Sequence, residues 1–224
     1  MIGISIANSK EWETTLKYFN KTPEECEKHP FGEYFKTVIQ NKEVLIYRCS
    51  IRKVASAAST QYMIDHFPLE KIIVIGTCAG VDQSYHQFDI IIPNLAVQYD
   101  CTVRETEPLI KERFNVTMDL SKLDFEYKTG TIGTADKPLV MWKDYLILKE
   151  NKITIVDTEA AGIAYVCKLN HVDSIIIKGI SDFPTDENLS TKEESYEEQY
   201  DIFVRSIPQI MMKIWEEYIV KIIK

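Results

Sequence analysis

IIVIGTCAG, residues 72–80, opens with a continuous apolar, β-branched run from Ile72 to Ile75, the composition of a strand buried on both faces. Gly76 to Gly80 is a run of small residues and predicts a tight turn after that strand. Upstream, Val54 to Phe67 is Ala-rich with helical apolar spacing and stops before Pro68. Helix, buried strand and small-residue turn form one unit, and the pattern recurs where a helix from about Glu159 to Leu169 leads into the apolar strand Ser174 to Lys178. Further buried-strand candidates are Asp89 to Pro93 and Tyr127 to Ile132, and Ile153 to Val156 is one more apolar run. At the start of the chain, Ile2 to Ala7 reads as a strand, Asn8 and Ser9 as helix-cap residues, and Lys10 to about Phe19 as a helix. Tyr34 to Ile39 and Val44 to Cys49 alternate and predict a hairpin, and Ile202 to Ile223 predicts a C-terminal helix packed on the sheet. Apolar strands alternating with helices predict a largely parallel sheet covered on both faces. The expected architecture is a three-layer α/β/α fold around a central twisted mixed sheet, built as one domain over residues 1–224.

Composition narrows the function. The net charge of −8, with basic residues scattered, offers no cationic stripe to a phosphate backbone, so nucleic acid is not an expected partner. Cys26, Cys49, Cys78, Cys101 and Cys167 are an odd number at wide spacings without a CxxC pair, which points to reduced thiols and the cytoplasm. The N-terminal apolar stretch has no basic region before it and meets charge at Lys10, and no run approaches the ~20 apolar residues of a spanning helix. Neither a signal peptide nor a membrane partner is expected. Asp186 to Tyr200 is acidic and reads as a solvated loop or helix start.

In open α/β sheets ligands bind outside the carboxyl ends of the strands, so polar residues just after buried strands are the first candidates. Glu11, the Gly76–Gly80 segment, Glu159 and the Ser181–Asp182 pair all qualify. Each has an ordinary reading when taken alone: a carboxylate on an amphipathic helix, a tight turn, a helix-start carboxylate and a capping pair.

Taken together, IGTCAG (75–80), FDIIIPNLAVQYD (88–100), TGTIGTAD (129–136), VDTEAAGIAYVC (156–167) and IIIKGISD (175–182) follow one another in a distinctive order. In that order and spacing the chain resembles the nucleoside phosphorylase and nucleosidase superfamily, and within it the 5′-methylthioadenosine/S-adenosylhomocysteine nucleosidases. The resemblance covers about residues 1–187. It implies a pocket of nucleoside size in which Asp182 is the catalytic acid at N7 of adenine, steadied by Ser181. It implies that Glu159 binds the ribose 2′- and 3′-hydroxyls, that Glu11 orients and deprotonates the attacking water, and that Thr77 lies near that water. Thr158, Cys78, Lys178 and Pro138 fall at the same pocket. Four departures from the family's pattern stand out: Thr158 replaces a Met, Lys178 an Arg, as a lysine that can pair with Glu159 but cannot form a guanidinium fork, Lys137–Pro138 an aromatic, and Arg52 a small glycine.

Cleavage of a C–N bond to a purine needs an acid for the leaving base, a base for water, and negative charge near an oxocarbenium-like sugar. Three carboxylates supply these, and neither a metal nor another cofactor is required; His29, His66, His86 and His171 have no ligand spacing. Phosphorylases of the superfamily hold phosphate with arginines where this chain has Val74 and the Glu11 segment, so water is the expected nucleophile. The alternatives are a phosphate-dependent phosphorylase, which would need Arg48, Arg52 or a neighbour's arginine, and a non-catalytic nucleoside-binding member of the fold. The resemblance also implies a homodimer in which a partner chain completes the 5′ end of the pocket, with the stretch from Tyr99 to Arg104 as the candidate donated surface.

Overall fold

A computed structural model describes residues 1–101, 114–137, 142–183 and 193–224. The chain opens with β1 (Ile2–Ile6), α1 (Ser9–Tyr18), β2 (Glu27–His29), β3 (Gly32–Ile39), β4 (Lys42–Arg48), α2 (Lys53–His66) and β5 (Lys71–Gly80). It continues through β6 (Ile90–Ile91), β7 (Leu95–Gln98), β8 (Val116–Thr117), β9 (Thr131–Thr134) and a helix α3 (Trp142–Glu150). β10 (Ile155–Asp157), α4 (Ala160–Leu169), β11 (Asp173–Asp182) and α5 (Glu193–Lys213) follow, and α5 runs into a π-helical segment, Ile214–Ile219, and a last turn.

The strands form one mixed sheet in which β4, β1, β5 and β11 run parallel at the centre. β10 pairs antiparallel with the end of β5 and parallel with β9, and the β2–β3–β4 edge is antiparallel. Alternation along the central strands explains the layers. Ile73 and Ile75 of β5 face one core with Ile4, Ile6, Trp12, Leu16, Ile210 and Trp215, under α1 and the C-terminal helix. Ile72 and Val74 face the other with Leu45, Tyr47, Met63, Ala161, Ile163 and Cys167, under α2 and α4. A strand buried on both faces has no polar positions to alternate, so its sequence reads as an unbroken apolar run. The central α/β/α architecture thus agrees with the sequence expectation.

One local expectation is overturned. Gly76 to Gly80 is not a turn: these residues continue β5, paired with β11 on one side and, at Ala79 and Gly80, with β10 on the other. Small residues here serve close approach instead of chain reversal. A Cβ on Gly80 would lie 2.2 Å from the Phe183 ring, so that ring rests directly on the strand. The strands expected over Asp89 to Pro93 and Tyr127 to Ile132 shrink or shift to β6 and β9, with a single bridge between Ile91 and Lys128 beyond them.

Candidate active site

Asn8 caps α1 and forms a capping box with Glu11: the Asn8 side chain accepts from Lys10 N at 2.7 Å, and Asn8 N donates to Glu11 Oε2 at 3.3 Å. The box fixes Glu11 in the first turn and points it back toward β5. There Glu11 Oε1 accepts two hydrogen bonds of 2.7 Å, from the backbone N–H and the hydroxyl of Thr77. Glu11 is only 3% exposed, so these bonds offset the loss of water around its charge. The approach depends on Gly76, whose φ is +149°; a Cβ there would sit 2.8 Å from Glu11 Oε1. A single glycine therefore gives the carboxylate its seat.

Across the strand lies Lys178, 2% exposed, on the face toward α4. Its ammonium pairs with Asp157 Oδ2 at 3.0 Å. Asp157, and not Glu159, makes the ion pair, although Glu159 still acts on the ammonium through space. Asp157 is two residues nearer on the end of β10, where register with β9 lets Thr134 donate to its Oδ1 at 2.6 Å and the start of α4 lets Ala160 N donate to its Oδ2 at 3.0 Å. Burial pulls the Lys178 ammonium downward, but Asp157, Glu11 and Glu159 outweigh it and hold the ammonium above the ordinary lysine range. Sequence reasoning passed over Asp157. Its signal was present: an Asp at the end of an apolar strand, three residues before a small-residue helix start, is a capping pattern, and a lysine inside an apolar strand requires a buried anion.

Glu159 stands at the N-cap of α4 and is 6% exposed. Its Oε1 accepts from Arg52 N at 2.8 Å and from the Thr158 hydroxyl. Burial first, and then the neighbouring Asp157, push its carboxyl above the usual glutamate range, against the opposing pull of Lys178.

Ser181 and Asp182 close β11. Ile180 pairs with Cys78 and Asp182 with Ala79, so Ser181 is the extra residue of a β-bulge. A bulge re-aims the side chain that follows it. The Ser181 hydroxyl reaches both the Cys78 carbonyl, at 3.0 Å, and Asp182 Oδ1, while Gln87 donates to the Ser181 carbonyl at 2.7 Å. Burial raises the Asp182 carboxyl above the usual aspartate range, and the Ser181 hydrogen bond offsets part of that rise. Cys78 contributes its carbonyl to this arrangement; its thiol sits in the core and donates to Gly179 O at 3.5 Å, and burial drives it well above the usual thiol range.

The structure thus brings Glu11, Thr77, Thr158, Glu159, Lys178, Ser181 and Asp182 to the carboxyl ends of β5, β10 and β11 and the start of α1. Pro138 and residues 102–104 of the expected donated surface lie outside the described residues. Val74, where a phosphorylase carries a cation, is 2% exposed in the core.

Chemically, the site holds four buried or half-buried carboxylates, Glu11, Asp157, Glu159 and Asp182, with different surroundings, which is how one pocket separates an acid from a base. The sequence profile of the phosphorylase superfamily matches residues 1–215. A 5′-methylthioadenosine/S-adenosylhomocysteine nucleosidase from Marinomonas sp. (strain MWYL1) is 24% identical over 183 residues, 72% of this chain and 78% of the relative. An aminodeoxyfutalosine nucleosidase from Helicobacter pylori (strain ATCC 700392 / 26695) is 28% identical over 204 residues, 83% and 87% of the two chains. The crystal structure of 5′-methylthioadenosine/S-adenosylhomocysteine nucleosidase from Helicobacter pylori with butyl-thio-DADMe-Immucillin-A superposes with a TM-score of 0.76, covering 96% of this chain and 95% of the other at 20% identity. By this profile and this fold, the chain belongs to the phosphorylase superfamily and is similar within it to nucleosidases of the 5′-methylthioadenosine/S-adenosylhomocysteine type.

Proposed function

We propose that this protein hydrolyses the N-glycosidic bond of a 5′-substituted adenine nucleoside such as 5′-methylthioadenosine or S-adenosylhomocysteine. The observation that carries the reading is the placing of Glu11 and Asp182 at one end of the sheet in opposite environments. Glu11 is buried and held by two hydrogen bonds from Thr77, which fix the orientation of its carboxylate toward an attacking water. Asp182 is desolvated, which raises its carboxyl above the usual aspartate range and suits a donor to the leaving base.

In this mechanism Asp182 donates a hydrogen bond or its proton to N7, so that the base departs as a neutral leaving group. Glu159 accepts from the ribose hydroxyls, while Thr158 and Arg52 N keep its carboxylate oriented. As the C–N bond lengthens, positive charge grows on the sugar, facing Glu11, Asp157 and Glu159 against one lysine. That surplus of negative charge favours the transition state over the neutral substrate. Glu11 takes a proton from water as the oxygen attacks C1′, and the products are free base and ribose derivative. Phosphate is disfavoured as nucleophile because Glu11 occupies the ground beside Gly76 and Val74 is a core residue. The reading includes a homodimer, in line with the family resemblance, acting in the cytoplasm, where the five unpaired cysteines would stay reduced.

The test is incubation with 5′-methylthioadenosine, S-adenosylhomocysteine, adenosine and inosine, with and without phosphate, following free base and sugar. Base release without phosphate is expected. Release only with phosphate would make the protein a phosphorylase, and no release from any of the four would overturn the reading.

A further inference from the structure

Arg52 stands at the N-cap of α2 with φ 76° and ψ 158°, a backbone conformation that in practice belongs to glycine. Ser50, two residues earlier, also has positive φ, at 67°. A side chain in such a position costs stability, and the chain keeps an arginine there although glycine would relieve the cost. Strain that persists beside a functional carboxylate is a reason to ask what the side chain does. The backbone of Arg52 is pinned to the candidate ribose site, since its N–H donates to Glu159 Oε1 at 2.8 Å. Two neighbouring lysines are already engaged. Lys178 is paired with Asp157, and Lys53 with Asp100, while Lys53 N donates to Asp136 Oδ1 at 2.8 Å. Among the described residues the guanidinium of Arg52 has neither an ion pair nor a hydrogen bond, and the residue is half-buried.

From this strain, this anchorage and this unengaged charge we infer that Arg52 is a specificity-determining residue that binds a carboxylate carried on the 5′-substituent of the nucleoside. The inference rests on the proposed nucleosidase reading and deepens it. A guanidinium offers paired N–H donors matched to a carboxylate, which a lysine would not reproduce. The residue thus selects S-adenosylhomocysteine, which ends in an amino-acid carboxylate, over 5′-methylthioadenosine, which ends in an uncharged methylthio group.

The experiment compares kcat/KM for these two nucleosides in the wild type, Arg52→Gln and Arg52→Gly, with thermal unfolding of each protein. Arg52→Gln removes the charge and keeps the backbone strain; Arg52→Gly removes both. The ratio of kcat/KM for S-adenosylhomocysteine to that for 5′-methylthioadenosine is expected to fall about tenfold to a hundredfold in both variants, the size of a lost charge-assisted hydrogen bond. Arg52→Gly is also expected to unfold at a higher temperature than the wild type. A ratio that stays within about twofold of the wild type in both variants overturns the assignment while leaving the nucleosidase reading intact. A fall in Arg52→Gly alone also overturns it, because backbone geometry and not charge would then set the preference. Failure of the wild type to cleave either nucleoside overturns both.

Discussion

Strands β5 and β11 lie side by side along their whole length, yet their two ends have opposite characters. At the amino end Lys71 and Asp173 are register partners near the surface, and they border a cavity of about 620 Å³ lined also by Lys122, Lys168, Lys221 and Asp119. At the carboxyl end the same two strands carry Thr77, Lys178 and Ser181, all buried, with Asp182 beside them. The amino-end charges remain wet, and the partners they have, such as Asn115 O for Lys168 and Ser121 N for Asp119, are at the surface. Each carboxyl-end charge has lost water and is met by a named donor or counter-charge: Thr77 for Glu11, Asp157 for Lys178, Arg52 N for Glu159, Ser181 for Asp182. The comparison separates two kinds of charged site on the same pair of strands. Desolvated charges with fixed partners are where the proposed chemistry belongs, because burial strengthens their interactions and the partners set their orientation.

The sharpest test of that contrast is Asp182→Asn. An amide cannot give up a proton to N7, so kcat should fall about 10²- to 10⁴-fold with the fold intact, measured as base release from 5′-methylthioadenosine. Wild-type turnover in this variant would remove the acid from the carboxyl end. Next in size, Lys178→Met should destabilise the protein by about 3–5 kcal/mol in denaturant unfolding, because Asp157 would be left as an uncompensated buried charge. The matching change at the other end of the strands, Lys71→Met, should cost about 0.5 kcal/mol or less. Equal costs would erase the distinction between the two ends. Gly76→Ala should cost about 1–3 kcal/mol through its positive φ, and should lower activity as well, because the new methyl group displaces the Glu11 carboxylate. Unchanged activity in a folded Gly76→Ala protein would show that the seat of Glu11 is not needed.

The smallest effect is one of pH. Burial raises the pKa of Asp182 in the folded protein above its unfolded value. The folded state therefore favours the neutral acid, a contribution that is full below the unfolded pKa and is lost as pH rises through the folded one. Asparagine never ionises, so Asp182→Asn should unfold at a higher temperature than wild type at neutral pH, and the gap should close as pH falls below the carboxylate range. Unfolding temperatures measured across that range check the sign; a gap that widens on acidification would mean that Asp182 is ionised and stabilised in the fold.

Ile72 to Ile75, Ser174 to Lys178 and the Ala-rich helices announced themselves in the sequence because periodicity and burial are local properties, repeated every two or 3.6 residues. Position just after an apolar strand likewise marks Glu11, Glu159 and Asp182 as candidates, and two of the five motif blocks contain Glu159 and Asp182. Local rules failed where tertiary contact reassigned a residue's task. Gly76 to Gly80 has the composition of a turn, but β10 and β11 capture it as strand, and Gly76 and Gly80 are small to admit Glu11 and Phe183. Spacing along the chain could not choose between Asp157 and Glu159 as the partner of Lys178, because that choice depends on the register of β10 against β5 and β9. Nor could it show that Arg52 sits in a glycine conformation with its N–H on a carboxylate 107 positions away. The sequence by itself determined which segments are buried and which residue types could act as acid, base and ligand. The tertiary structure alone decided which charges share a desolvated site, since Coulomb and hydrogen-bond energies depend on distance through space and not on distance along the chain.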